Sequence, residues 1–249
     1  MRRINIDDER HKAIAEHYGN FTEMKKLSED RYYPCRVVPE EAGDKDRNMK
    51  YIASWSGGKD STASIILAHE HNEPLDLIIF SEVMFDKNIS GELPEHIDFI
   101  KNKAIPVFES WGYEVKILHA KLNYMDIFMR EPTRGKHFGM GKKTGFPMSG
   151  KCQINKSVKV LPIKNFLSSI DEEFTQYIGI AVDEPTRMER IVNSGNKVSL
   201  LEKYGYTEQR ALDLCKKYDL LSPIYEFAPR GGLLVLPQCP IRRVETLAN

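Results

Sequence analysis

The chain has little cysteine. Four occur in 249 residues, Cys35, Cys152, Cys215 and Cys239, and no two form a C-x-x-C pair. That excludes a disulfide scaffold and fits the reduced thiols of a reducing compartment. No apolar run approaches the ~20 residues that span a bilayer. The first residues, MRRINIDDERHK, have the basic start of a signal peptide but no apolar segment behind it, so a cytoplasmic location without membrane association is expected. Net charge is also missing, with 36 basic and 36 acidic side chains, which argues against a protein that coats nucleic acid. A Walker A loop, which needs G-x-x-x-x-G-K followed by Ser or Thr, does not occur. The His-Glu-His run at 69–71 lacks metal-ligand spacing and reads as surface.

One absence is local. From Pro132 to Ile170 there is no Asp or Glu, while Arg134, Lys136, Lys142, Lys143, Lys151, Lys156, Lys159 and Lys164 fall in that stretch, with His137. Two explanations stand side by side: a solvated surface whose counter-charges lie elsewhere in space, or a surface built to meet phosphates.

What is present is an alternation of strands and helices beginning at Met49. Strands are expected at Tyr51 to Trp55, Leu75 to Ser81, Tyr113 to Ala120 and Phe174 to Val182, the second a near-continuous apolar run suited to a strand buried on both faces. Helices are expected at Thr62 to His71, with Ala63, Ile66 and Leu67 on one face, and at Leu93 to Trp111, interrupted near Pro106. Further helices are expected at Asn123 to Arg130, 152–169 (bent or split at Pro162), Glu184 to Val192 and Thr207 to Tyr218. Before Met49, residues 8–27 have room for one helix, and PEEAGDKDRN at 39–48 is linker-like. Three segments follow: an N-terminal extension and linker at 1–48, an α/β domain at 49–200, and a helical or irregular region at 201–249. Strands alternating with helices of this length pair in parallel, and ligands of such sheets lie beyond the carboxyl ends of the strands. SGGKDS, SEVMFD and VDEPTR all fall at such ends.

SGGKDS, residues 56–61, joins the first strand to the first helix. Glycine lets backbone approach a ligand closely, and a helix's first turn offers unpaired N–H groups at a positive dipole end. Gly57 and Gly58 would wrap a phosphate, Ser56 and Ser61 would add hydroxyls, and Lys59 a cation. Asp60 would cap the helix or help hold a magnesium ion. Such a hexapeptide arises by chance in roughly one chain in 10⁴–10⁵. Past the fourth strand stand Asp183, Glu184 and Arg187; acids suit a helix N-terminus, and the arginine could clamp a phosphate or sulfate. Glu82 and Asp86, after the second strand, could accept hydrogen bonds from a ribose or adenine, or belong to a solvated loop.

The hexapeptide resembles the PP-loop of the ATP pyrophosphatase superfamily. FSEVMFD with ELPEHIDFI, CQINKSVKVLPIKNFL and YIGIAVDEPTRMERI resemble its phosphoadenosine phosphosulfate (PAPS) reductase-like branch, over about residues 49–245. The resemblance implies an adenine-nucleotide hydrolase-like, Rossmann-like parallel sheet flanked by helices, with a short irregular C-terminal region. It implies ATP or PAPS in the loop, accompanied by magnesium, and a G-I-x-x-D-E-x-x-R pattern at the active site, matched by Gly179, Ile180, Asp183, Glu184 and Arg187. It also implies a substrate-facing role for Lys151, Cys152 and Lys159, the last two, with Pro162, matching a C…K..P element.

The chain departs from that family in two places. Where relatives supply a C-x-x-C pair near the C-terminus, Leu233 and Leu236 stand, so no iron–sulfur cluster or zinc is expected. The tail ends RRVETLAN, without the redox cysteine of sulfonucleotide reductases. The resulting expectation is cleavage of ATP to an adenylate and pyrophosphate, activating an acceptor, with Lys59, Asp183 and Arg187 as catalytic residues. The 132–164 region would hold an anionic second substrate, nucleic acid among the candidates. Sulfonucleotide reduction and a non-catalytic nucleotide sensor or defence-system component are the alternatives.

Overall fold

The computed structural model describes residues 3–5, 23–28, 31–35, 49–135, 137–145, 153–192 and 194–227. Near the N-terminus, β1 (Arg3–Asn5), β2 (Glu23–Ser28) and β3 (Arg31–Cys35) form an antiparallel sheet in the order β1-β2-β3. The helix expected within 8–27 is therefore corrected from Glu23 onward. Residues 23–28 take their backbone partners from 31–35, with Lys25 opposite Tyr33 and Met24 opposite Pro34. Pro34 cannot donate to a ladder, and it lies on an edge strand, where no donor is needed on the outer side. The 39–48 linker lies outside the described residues.

The second sheet is five-stranded and all its pairs are parallel: β4 (Met49–Trp55), β5 (Leu77–Glu82), β6 (Glu114–His119), β7 (Glu173–Ile178) and β8 (Lys197–Val198), ordered β6-β5-β4-β7-β8. This is an α/β, Rossmann-like sheet flanked by helices. The chain runs outward from β4 through β5 to β6, then returns to the other side of β4 as β7. The order therefore reverses between β4 and β7, where open α/β sheets leave a crevice. β8 was not expected, because two residues carry no readable periodicity.

Helix α1 (Lys59–Glu70) follows β4, α2 (residues 94–110) joins β5 to β6, and α3 (Tyr124–Phe128) and α4 (residues 153–167) precede β7. After β7 come α5 (Pro185–Val192), α6 (Leu200–Lys203), α7 (Glu208–Lys217) and α8 (Ile224–Phe227). Neither long helix breaks at its proline. Each instead widens into i→i+5 turns just before it, at Phe99–Ala104 before Pro106 and at Asn155–Val160 before Pro162. A proline ring has no N–H and clashes with the carbonyl four residues back; a widened turn relieves both without ending the helix.

The sequence pattern gave α1 one apolar face, but the fold buries it nearly all round, from Thr62 through Ala68. The other side is covered by α6 and α7, whose Leu200, Leu201, Ala211, Leu214 and Cys215 belong to the same core, as does Leu220. Residues past 200 thus share the core of the residues before them. Among the described residues no helix is long and apolar enough to cross a membrane.

Phe108 is fully buried, its ring edge-on to Trp55 at 5.1 Å and 5.6 Å from Trp111. Phe108→Ala is expected to cost about 3–5 kcal/mol of unfolding free energy. Phe138, 64% exposed, is expected to change it by no more than about 0.5 kcal/mol when replaced by alanine. Urea unfolding of the two variants checks the contrast.

Candidate functional site

The site is assembled where β4 and β7 end side by side, with Ser54 opposite Ile178. Trp55 closes β4, and its indole N–H donates to Thr62 Oγ1 at 2.9 Å, fastening the strand's end to the second turn position of α1 across the loop. Gly57 turns the loop at φ +74°, and a β-carbon there would lie 2.5 Å from the His96 ring. Gly58 caps α1 in an extended conformation, with no side chain filling the cap. Glycine is thus required at 57 by both conformation and space.

The first amide to bond within α1 is that of Thr62, to the Gly58 carbonyl at 3.0 Å, which leaves the amides of 59–61 for other acceptors. Ser56 and Ser61 brace the loop from inside. Their hydroxyls are 3.1 Å apart, the Ser56 amide donates to Ser61 Oγ at 3.2 Å, and Ser61 Oγ donates to the Gly58 carbonyl at 3.1 Å. Gly179, just past β7, presses on this helix end. A β-carbon on it would stand 2.4 Å from the Ser61 nitrogen and 2.6 Å from its Cα. Backbone therefore meets backbone at the sheet's switch point.

Lys59 is buried, and its ammonium donates to both oxygens of Asp60 at 2.8 and 2.9 Å and to Glu208 at 2.8 Å. Burial disfavours its charge, but the hydrogen bonds of Asp60 and Glu208 outweigh that and hold its pKa above the ordinary value. Asp60 moves up as well, through burial and the neighbouring charges of Glu208 and Glu184, against the pull of Lys59. Asp183 accepts from the Glu208 amide at 3.1 Å, so it caps α7 and fixes the carboxylate that holds Lys59. Arg187 lies beyond: its Nη1 donates to both oxygens of Glu184 at 2.6 Å.

The other expected residues divide. Glu82 ends β5 and is buried rather than presented on a loop; Lys101 holds it at 3.1 Å and His119 at 3.0 Å, and these contacts keep its carboxyl below the usual range despite burial. Asp86 accepts from the amides of Asn88 and Ile89 within its own turn. Lys159 lies 3.6 Å from Glu92, a buried carboxylate raised by desolvation. Lys151 and Cys152 lie outside the described residues, as do Leu233, Leu236 and Cys239.

Three residues of the site were not legible beforehand. Glu208 reaches Lys59 across 149 positions of sequence. His96 sits under Gly57, 3.3 Å from the Ser56 carbonyl and 2.8 Å from Ser222 Oγ. Tyr225 accepts the Lys59 amide at 2.8 Å. Only the tight turn at Gly57 hinted that a bulky side chain lay beneath it.

No protein-family model matches this chain, and no curated protein matches it. A solved structure that does match is the U34-tRNA thiolase NcsA from Methanococcus maripaludis with its 4Fe–4S cluster, at 19% identity and a TM-score of 0.40. The match covers 70% of this chain and spans 59% of the length of that one. Against the expectation that no iron–sulfur cluster is present stands the cluster of that neighbour, a property of that protein. The neighbour carries a cluster, and leucines at 233 and 236 do not exclude one, because cluster thiolates are gathered by tertiary structure and need not come from one stretch. Among the described residues no group of three or more His, Cys, Asp or Glu side chains is arranged to hold a metal ion.

Two outcomes test this geometry. Gly179→Ala puts a methyl into backbone and is expected to lower unfolding free energy by about 1–3 kcal/mol, read by thermal or urea denaturation. His96 is 3% exposed, and burial first, then the Lys159 charge, lower its pKa from 6.5 to about 4. A histidine depressed in the folded state contributes stability that is complete above its unfolded pKa and is lost as pH falls toward the folded one. The wild type is therefore expected to lose up to about 3 kcal/mol between pH ~6.5 and ~4 that His96→Gln does not lose, measured by urea unfolding across that range.

Proposed function

We propose that this chain is a PP-loop-type enzyme that binds the polyphosphate of an adenine nucleotide at residues 56–61 and splits ATP into an adenylate and pyrophosphate. One observation carries the reading. A glycine loop delivers the head of a helix, with no side chain at its cap residue, and a buried lysine to the switch point of a parallel sheet. Free amides, a positive dipole end and a fixed cation are what a polyphosphate needs, and the switch point is where such sheets bind nucleotides.

In that reading the amides of 59–61 and the Lys59 ammonium hold the phosphates, exchanging carboxylate partners for phosphoryl oxygens. Gly57, Gly58 and Gly179 bring backbone close enough to do so. Ser56 and Ser61 keep the loop's shape, and Glu82 steadies the β5 end through Lys101 and His119. Asp183 sets Glu208, and Arg187 with Glu184 stands at the β7 edge for the leaving or attacking group. Magnesium would neutralise phosphate charge, with Asp60 the carboxylate at the loop to share it; such an ion takes one or two carboxylates and otherwise phosphate and water. The chemistry is then positioning and electrostatic stabilisation of charge developing on phosphorus oxygens.

An anionic acceptor fits the basic stretch. Arg134, His137, Lys142, Lys143, Lys156 and Lys164 are exposed, and so are Phe138 and Met140; within it Lys143 is paired, with Glu131 at 2.9 Å. Exposed cations beside an exposed aromatic ring suit a nucleic-acid strand. Sulfonucleotide reduction requires a reactive thiol; the candidates for it, Cys152 and Cys239, lie outside the described residues, and Cys215 is fully buried with its pKa pushed up to about 12 by burial and the Asp60 charge. A non-catalytic nucleotide-binding protein is the second reading, favoured by the pairing of both cations, Lys59 and Arg187, with carboxylates.

Calorimetry with ATP tests the proposal. Wild-type protein is expected to bind ATP, and Lys59→Ala to bind at least about tenfold more weakly, in line with losing a charge-assisted contact. Pyrophosphate release in the presence of an RNA acceptor separates the enzyme from the second reading. Absence of binding to ATP, AMP and PAPS alike in folded wild-type protein would overturn both.

A further inference from the structure

The loop that would hold phosphate is already filled by the chain itself. The Lys59 amide has one hydrogen, and Tyr225 Oη accepts it at 2.8 Å. All three hydrogens of the Lys59 ammonium are spent, two on Asp60 and one on Glu208. The Tyr225 hydroxyl lies over bare backbone, for a β-carbon at Gly58 would stand 3.2 Å from it. Burial raises the phenol's pKa, so the group on the amide is a neutral oxygen in the place of an anionic one.

The same turn is tied down a second time. Ser222 is buried, and its hydroxyl is 2.8 Å from His96 Nδ1, while the other ring nitrogen faces the Ser56 carbonyl at 3.3 Å. Residues 222–227 therefore grip the loop at both ends, at the head of α1 and under Gly57. These two contacts join positions 166 and 126 residues apart in sequence.

We propose that residues 222–227 form a gate on the loop, in which the Tyr225 hydroxyl is an internal ligand that a phosphoryl oxygen of an inorganic or nucleotide polyphosphate displaces. The inference rests on the phosphate-binding reading of residues 56–61. A single N–H cannot serve two acceptors at full strength, so ligand and tyrosine compete. The exchange runs toward ligand, since a hydrogen bond to an anionic oxygen is roughly twice as strong as one to a neutral oxygen. Affinity is reduced by the closed fraction, as for any site whose competent state is only partly populated. The gate thereby holds the loop in shape when no nucleotide is present and sets the concentration at which nucleotide enters.

Inorganic pyrophosphate titrated calorimetrically into wild type, Tyr225→Phe and Ser222→Ala provides the test. Phenylalanine keeps the ring but leaves the Lys59 amide without its acceptor, so Tyr225→Phe is expected to bind pyrophosphate about three- to tenfold more tightly. Ser222→Ala removes the other tether and is expected to shift in the same direction. Amide hydrogen exchange in residues 222–227 of the wild type is expected to quicken when pyrophosphate binds. Unchanged or weaker binding by Tyr225→Phe, or slower exchange in 222–227 on binding, overturns the gate and leaves the phosphate-binding loop standing. If neither wild type nor Tyr225→Phe binds pyrophosphate or ATP while both are folded by circular dichroism, the phosphate reading falls and the gate with it.

Discussion

A buried ammonium at the positive end of a buried helix is the constraint around which the rest of the structure is organised. Lys59 occupies the first position of α1, where the helix dipole already disfavours a cation, and the fold removes it from water. Two like electrostatic costs coincide there, and neither is tolerable without anions close by. In the free protein the anions are Asp60 and Glu208. Asp183 positions Glu208, and Glu184 adds charge nearby, taken up by Arg187. Four acidic side chains from three separate stretches thus answer one lysine and one helix end. The same demand is what a polyphosphate would satisfy under the proposed function.

Steric demands follow from the same location. For α1 to present its head at the switch point, β7 must pass close enough that only glycine fits at 179, and the loop must turn tightly enough that only glycine fits at 57. The space under Gly57 is taken by His96, neutral and buried, and the space over Gly58 by the Tyr225 hydroxyl. α6, α7 and the 222–227 turn complete the enclosure, which is why α1 is apolar on more than one face.

The parallel sheet was largely legible in sequence, because short apolar runs such as residues 77–80 alternating with helix-length segments have few other uses. The loop was legible because glycine, lysine and hydroxyls at a strand-to-helix junction are an uncommon combination. Prolines were misleading as punctuation: Pro106 and Pro162 marked widened turns inside continuous helices. The strand at Glu23–Ser28 was hidden too, since its pairing with Arg31–Cys35, rather than its own pattern, decides its conformation. Arg187 and Glu82 were recognised as charged groups at strand ends, but their partners, Glu184 in one case and Lys101 and His119 in the other, were visible only once the chain was folded.

By itself, then, the sequence determined which segments become buried strands, where backbone can approach a ligand, and which residue types stand at the strand ends. Those properties are local, set by side-chain volume, glycine's freedom and hydrophobic period. Tertiary structure alone decided which charges meet. Glu208 reaching Lys59, Ser222 reaching His96 and Tyr225 reaching the Lys59 amide all join residues more than a hundred positions apart. Such contacts depend on how whole elements pack, and no local pattern encodes them. SGGKDS raised the expectation of a phosphate loop; the fold shows Lys59 held by the protein's own carboxylates, Asp60 and Glu208, and its amide by one tyrosine hydroxyl.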